Sequence, residues 1–138
     1  MNNVADLSLD DLKKGLPGVT PVLGNFHAQA CLVCFYERKH TSGVKLETKG
    51  TFASVFAVNW QDAITDQILQ AWGDPEVATE QAAYGIAFLL VLKLTPFTVI
   101  RKSKKGTGFD YWLGEQSTIN QWCKSNYSEN SAMLSVNL

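Results

Sequence analysis

Two carboxylates far apart in the chain, and one run of cations, offer the most specific chemistry in this sequence. The first carboxylate lies in "RKSKKGTGFDYWLG", residues 101–114. Arg101, Lys102, Lys104 and Lys105 lead through a glycine turn to Asp110, set between Phe109 and Tyr111. If a strand opens at 109, Phe109, Tyr111 and Leu113 share one face, and Asp110 and Trp112 the other. A carboxylate partly covered there needs a partner. The second is Glu80, on a stripe of Val77, Glu80, Tyr84, Phe88 and Val91 that is otherwise apolar. Such an acid is expected to hydrogen-bond, pair with a cation or hold a metal. Two converging carboxylates can hold Mg²⁺, which activates water and stabilises charge on a phosphate. The four cations form the dense basic cluster of the chain and could contact a nucleic-acid backbone. The plainer alternative is structural. Asp110 would accept from the Thr107 or Gly108 amide and pin its own turn. Glu80 would be a solvated acid, and the cations a charged hairpin tip guarding an edge strand.

The elements that must position these residues read as follows. Residues 1–6 look frayed, and "SLDDLKKG" (8–15) reads as a short helix closed by Gly15. "LPGVTPVLGN" (16–25) reads as a loop. "AQACLVCFYERK" (28–39), "VKLETK" (44–49) and "TFASVFAVNW" (51–60) read as three strands of a meander. The period then changes. "QDAITDQILQAWGD" (61–74) places Ile64, Ile68 and Trp72 at helical spacing, and its helix is expected to cover the preceding sheet. Asp74-Pro75-Glu76 is a helix start, with a helix running to Leu94 before Pro96. "FTVIRK" (97–102) and "FDYWL" (109–113) read as strands around the Lys/Gly turn. "QSTINQWCKSNY" (116–127) could hold a short helix or turn, and "AMLSVNL" (132–138) a last strand. The expectation is one α+β domain over 1–138. It has an N-terminal helix and loop (1–25), an antiparallel strand meander (28–60), two helices (61–94), and C-terminal strands (97–138) forming a mixed sheet.

A helix glutamate, a strand, a turn and a strand opening with Asp resemble the first half of the PD-(D/E)xK nuclease core. The residues that carry the likeness are Glu80 in "DPEVATEQAAYGIAFLL", "FTVIRK", and Asp110 in "GTGFDYWLG", within residues 75–138. The resemblance implies a restriction-endonuclease-like fold in which Glu80 and Asp110 are the catalytic and Mg²⁺-binding acids. The sequence departs from the family at the acid-x-Lys pair. The candidate strand "AMLSVNL" offers Ser135 and Asn137, and neither Glu115 nor Glu129 has a lysine two residues later. The resemblance therefore implies an incomplete metal site and weak or no cleavage. "KGTGFDYWLG" is also similar to segments of bacterial proteins without an assigned activity, which implies none here.

The remaining candidates are weaker. Cys31 and Cys34 have C-x-x-C spacing, but an odd offset on a strand turns them to opposite faces, so two core cysteines are expected. His27 and His40 fall in expected loop or turn positions, with no nucleophile at an informative spacing. "RKSKKGTG" lacks the spacing of a phosphate-binding P-loop. Trp112 and Trp122 could stack on bases, though tryptophans usually anchor cores. A net charge of −1 gives no global pull toward nucleic acid or anionic lipid. The apolar run "AAYGIAFLLVL" (82–92) is shorter than the roughly 20 residues of a membrane span and reads as a buried core helix. No secretory signal pattern opens the chain and three cysteines suggest no disulfide framework, so a cytoplasmic setting is expected. The functional expectation is a nuclease-like domain that binds nucleic acid or a protein rather than cutting efficiently. Its rival is a non-enzymatic interaction module. Neither needs a membrane, and the apolar composition leaves a homodimer open.

Overall fold

The fold comes from a computed structural model, and the structure describes residues 4–116 and 132–136. The order is β1 (Ala5–Ser8), α1 (Asp10–Lys13), α2 (Pro21–Glu37), β2 (Val44–Thr48), β3 (Ser54–Asn59), α3 (Asp66–Trp72), α4 (Pro75–Leu94), β4 (Phe97–Lys102), β5 (Tyr111–Glu115) and β6 (Ala132–Leu134). The class is α+β. The strands form two three-stranded sheets, ordered β1-β3-β2 and β4-β5-β6. The mixed sheet is the N-terminal one, because β1 runs parallel to β3 while β2 is antiparallel to it. The C-terminal sheet is antiparallel throughout.

The largest departure from expectation is residues 28–39, which are helical. Thr20 caps α2, its side chain accepting from the Leu23 amide at 3.3 Å, and Pro21 occupies the first turn. Pro there supplies a helical φ and lacks only an N–H that would be unpaired anyway. The buried side of α2 includes Gly24, His27, Ala28, Cys31 and Leu32, at helical spacing. The meander therefore shrinks to the β2–β3 hairpin. Its third strand is β1, which spans the end of the segment expected to fray (1–6) and the start of the expected helix (8–15); there Leu7 sits opposite Val58 and both are buried.

Other readings hold. Asp74 caps α4 by accepting from the Glu76 amide at 2.9 Å, and Pro75 opens the helix. The expected 8–15 helix is shorter than read: Ser8 ends β1, and α1 has Leu9 at its N-cap with no side-chain cap bond. β4, β5 and β6 fall where strands were expected. α3 does not cover the β2–β3 hairpin but packs on α2 and α4. Trp72 donates to Gln29 of α2 at 2.9 Å and its ring lies 4.8 Å from that of Phe26. Residues 117–131, which include most of the expected 116–127 helix or turn, Trp122 and Glu129, lie outside the described residues, as does Asn137.

The core is built on α2 packed along α4, with α1 beneath α2 and β4 beside α4. Phe88, Leu7, Leu9, Leu12, Leu89, Val58, Val99 and Cys31 are fully enclosed. α4 is long and apolar enough to cross a membrane by length and composition. In this fold it buries Ala78, Ala82, Gly85, Phe88 and Leu89 on one side and is half-buried or exposed elsewhere. The expected core stripe through Glu80 is thus rotated. Small residues line the buried side, and Val77 and Glu80 face outward.

Two glycines permit close approaches. A Cβ on Gly24 would lie 1.8 Å from the Leu12 carbonyl oxygen, where α1 meets α2. A Cβ on Gly18 would lie 2.4 Å from the Ile100 carbonyl carbon, where the 15–19 loop crosses β4 and the Gly18 amide donates to Val99 at 2.9 Å. Gly24→Ala is expected to destabilise the domain by about 3 kcal/mol, since backbone must move to admit the methyl. Thr98 makes the contrasting case. Its hydroxyl is buried without a hydrogen-bond partner, a state that costs about 1–3 kcal/mol in desolvation. Thr98→Val should therefore leave the urea midpoint unchanged or raise it, whereas Gly24→Ala lowers it. Equal losses for both would contradict this packing.

Candidate binding site at the cationic hairpin

The β4–β5 hairpin contains one extra residue on β4. Val99 pairs with Leu113, yet Arg101 pairs with Trp112 and Lys102 with Tyr111, so the register shifts at Ile100. A β-bulge of this kind re-aims the side chains beyond it. Uninterrupted alternation from the buried Val99 would turn Arg101 inward. The bulge instead places Lys102 opposite buried Tyr111. The Lys102 ammonium lies 4.5 Å from the centre of the Tyr111 ring and 5.8 Å from that of Tyr84. It also reaches the Asp110 carbonyl at 3.4 Å. Electrostatic attraction to the two ring faces holds the cation there. The four expected cations are therefore not equivalent. All four are exposed, but Lys102 folds back over aromatic rings and the other three have no such contact among the described residues. None of the four joins an ion pair with a described residue.

Beyond Lys102 the chain turns through Gly106 and Gly108, both at positive φ (92° and 87°). The Ser103 hydroxyl donates to the Phe109 carbonyl and the Thr107 hydroxyl to that of Lys104. A cavity of about 470 Å³ opens in this turn, lined by Lys102–Lys105, Gly106, Gly108, Phe109 and Asp110. Lysine ammonium groups and glycine backbone in one concavity suit an anion. Phe109 does not share the Tyr111 face as expected. β5 begins only at Tyr111, and the Phe109 ring meets the Trp112 ring edge-on at 4.6 Å.

Asp110 serves as a strand tie. Its carboxylate accepts from the Val136 amide at 2.9 Å, just past β6, rather than from Thr107 or Gly108. Its own amide donates to the Leu134 carbonyl at 2.8 Å. The Tyr84 phenol lies close enough to feel the charge of this carboxylate. Burial, then the charge of Asp110, then the charge of Glu80, push the Tyr84 phenol above its ordinary range. Burial, followed by Tyr84 and Asp110, pushes Tyr111 up to about 12. Glu80 and Asp110 thus both act on Tyr84, but they line different cavities. Glu80 lies in a groove of about 690 Å³ with Glu37, Arg38, Pro75, Glu76 and Thr79. Among the described residues, no group of three His, Cys, Asp or Glu side chains could hold a metal ion.

The sequence reading missed His27. It was expected in a loop, but it lies inside α2 and is buried. Its Nδ1 lies 3.0 Å from the Gln81 carbonyl of α4. A carbonyl can only accept, so Nδ1 carries the proton and Nε2 is the bare acceptor. The rings of Phe26, Tyr84 and Phe88 surround the imidazole edge-on at 5.5, 6.2 and 5.3 Å. Burial lowers its pKa, the Gln81 hydrogen bond opposes that, and the Lys102 charge lowers it further. His27 lines a second cavity, of about 320 Å³, with Gly18, Val19, Leu23, Phe26, Gln81, Lys102 and Tyr111. Lys102 is common to this cavity and the hairpin cavity.

The cysteines need a matching correction. On a helix, Cys31 and Cys34 lie three residues apart on neighbouring parts of one side, not on opposite faces. Cys31 is fully buried, donates to the Ala82 carbonyl at 3.5 Å, and its thiol is pushed far up by burial. Arg38 donates to the Cys34 sulfur at 2.9 Å. Neither belongs to a metal-binding group among the described residues. His40 is exposed in the connection after α2, as expected.

No protein-family model matches the chain, and no curated protein or solved structure matches it either.

Two outcomes follow from this geometry. Asp110→Ala removes a charge-assisted bond to β6, so it should lower stability by about 1–3 kcal/mol. It should also speed hydrogen exchange at the Val136 amide. Unchanged exchange there would show that Asp110 does not hold the strand. His27 has a depressed pKa in the folded state. Its contribution to stability is therefore complete above the ordinary histidine value of 6.5 and is lost as pH falls through that value toward the lower folded one. Urea midpoints measured from pH 7.5 to pH 5 should fall, and His27→Gln should flatten that fall. An identical pH dependence in both proteins would contradict the assignment.

Proposed function

We propose that this domain binds nucleic acid through the β4–β5 hairpin and does not cleave it efficiently. The observation that carries the reading is the arrangement of Arg101, Lys104 and Lys105. They are exposed at a cavity in which three lysines and glycine backbone outnumber the single carboxylate, Asp110, and they form no ion pair with a described acid. Unpaired cations on a rigid two-stranded platform can displace counterions from a phosphate backbone. Lys102 positions the hairpin against α4 and contributes charge at the cavity floor. The overall charge of −1 is consistent with a local contact rather than a general affinity for polyanions. Asp110 is engaged by the Val136 amide, which supports a structural role over metal ligation. Ser135, where a nuclease-like core would carry an acidic ligand or its lysine partner, adds neither charge.

Fluorescence anisotropy with a labelled 20-base-pair DNA duplex tests this. Three phosphate contacts should give a plot of log affinity against log salt with a slope of about −2.7. The triple variant Arg101→Gln, Lys104→Gln, Lys105→Gln should lose at least about tenfold in affinity at low salt and most of that slope. Affinity insensitive to salt, or unchanged in the triple variant, would count against the hairpin. Calorimetric titration with Mg²⁺ separates the nuclease-like alternative. Saturable binding by the wild type that disappears in Asp110→Ala would assign a metal to Asp110 and overturn the non-cleaving reading.

A further inference from the structure

The hairpin cavity and the His27 cavity adjoin at Lys102, and their chemistry differs. The first offers three lysines and glycine backbone beside one carboxylate, Asp110. The second is mostly apolar, with Gln81 and Lys102 also in its lining and His27 as a fixed hydrogen-bond acceptor. His27 is 5% exposed, its Nδ1 proton is committed to Gln81, and no described residue donates to Nε2. The volume, about 320 Å³, is at the small end of ligand cavities. At its rim Phe26 is 43% exposed, backed by Trp72 at 4.8 Å. An exposed ring face beside a polar acceptor is what a planar heterocycle with an N–H edge requires. Single-stranded recognition uses this pairing of stacking with edge hydrogen bonds.

We propose that the domain prefers single-stranded nucleic acid and inserts one base into the His27 cavity while the neighbouring phosphate sits on the hairpin. The proposal rests on the hairpin reading above and adds the form of the nucleic acid. Phe26 supplies the stacking surface. Nε2 of neutral His27 accepts from an amino or ring N–H group of the base. Leu23 and Val19 close the apolar sides, and Lys102 bridges base site and phosphate site. Bases inside a duplex have their faces stacked and their Watson–Crick edges paired, so none can enter such a cavity without leaving the stack.

The test compares three labelled probes by anisotropy at fixed low salt. They are a mixed-sequence 12-nucleotide single strand, the matching 12-base-pair duplex, and a 12-unit abasic strand that keeps the phosphates. The base-bearing single strand should bind about tenfold more tightly than the abasic strand, within the range of one stacked base, and more tightly than the duplex. Leu23→Trp, at a residue 49% exposed, should fill the cavity. It should erase the preference for bases while leaving the salt dependence intact. Phe26→Leu, which removes the stacking ring, carries the same expectation. Equal, salt-dependent binding of all three probes would overturn base insertion and leave the hairpin contact standing. A preference for bases that survives both substitutions would also overturn it, because the base would then lie elsewhere. Binding of none of the probes would overturn the hairpin reading and this inference together.

Discussion

The packing of α2 along α4 is the constraint on which the rest depends. Among the described residues the two sheets share no hydrogen-bonded strand pair, so the helices join them. Both helices are apolar around most of their circumference, which suits elements covered from several directions. The contact side of α4 is made of Ala78, Ala82 and Gly85. Small residues let the two backbones approach closely enough for His27 and Cys31 of α2 to reach carbonyl groups of α4. Phe88 and Leu89 then fill the wider end toward β4 and β5.

From that packing the candidate site follows. α4 carries Tyr84 against Tyr111 of β5, with ring centres 5.6 Å apart, and Lys102 closes over both. Asp110 ties the same corner to β6. The hairpin tip therefore projects from a base fixed by cation–aromatic contact, a carboxylate–amide bond and an enclosed core. A platform held this way keeps its exposed cations in place, and none of them forms an ion pair with a described residue.

Much of this order is legible in the sequence where the signal is local. The Asp-Pro-Glu start of α4, the alternation of β2 and β3, and the strands around the Lys/Gly turn need only neighbours in the chain to specify them. Thr20-Pro21 is the same kind of start signal as Asp74-Pro75, but reading it as loop punctuation turned α2 into a strand. The aromatic and branched residues in "CLVCFY" favour strands in isolation. Burial against α4 outweighs that preference. β1 has four residues and a partner some fifty positions away, so nothing near it announces a strand. The site was half legible. Composition alone marks the cations, whereas the division of labour between Lys102 and Arg101 depends on the bulge. His27 was missed because its role comes from the Gln81 carbonyl across the helix pair, a contact that could be anticipated only once α2 was seen as a helix.

The irregularity at Ile100 also bears on how this hairpin can change over time. Residues added or removed at the glycine-bearing tip leave the pairing below it intact, so reach and local basicity can drift freely there. A single codon lost at Ile100 would absorb the extra residue, so Lys102 would stay opposite Tyr111 while the stem lost the bend and added twist with which it meets α4. Length variation should accordingly accumulate at the apex and be excluded from the stem, making the stem the more informative landmark for aligning distant kin.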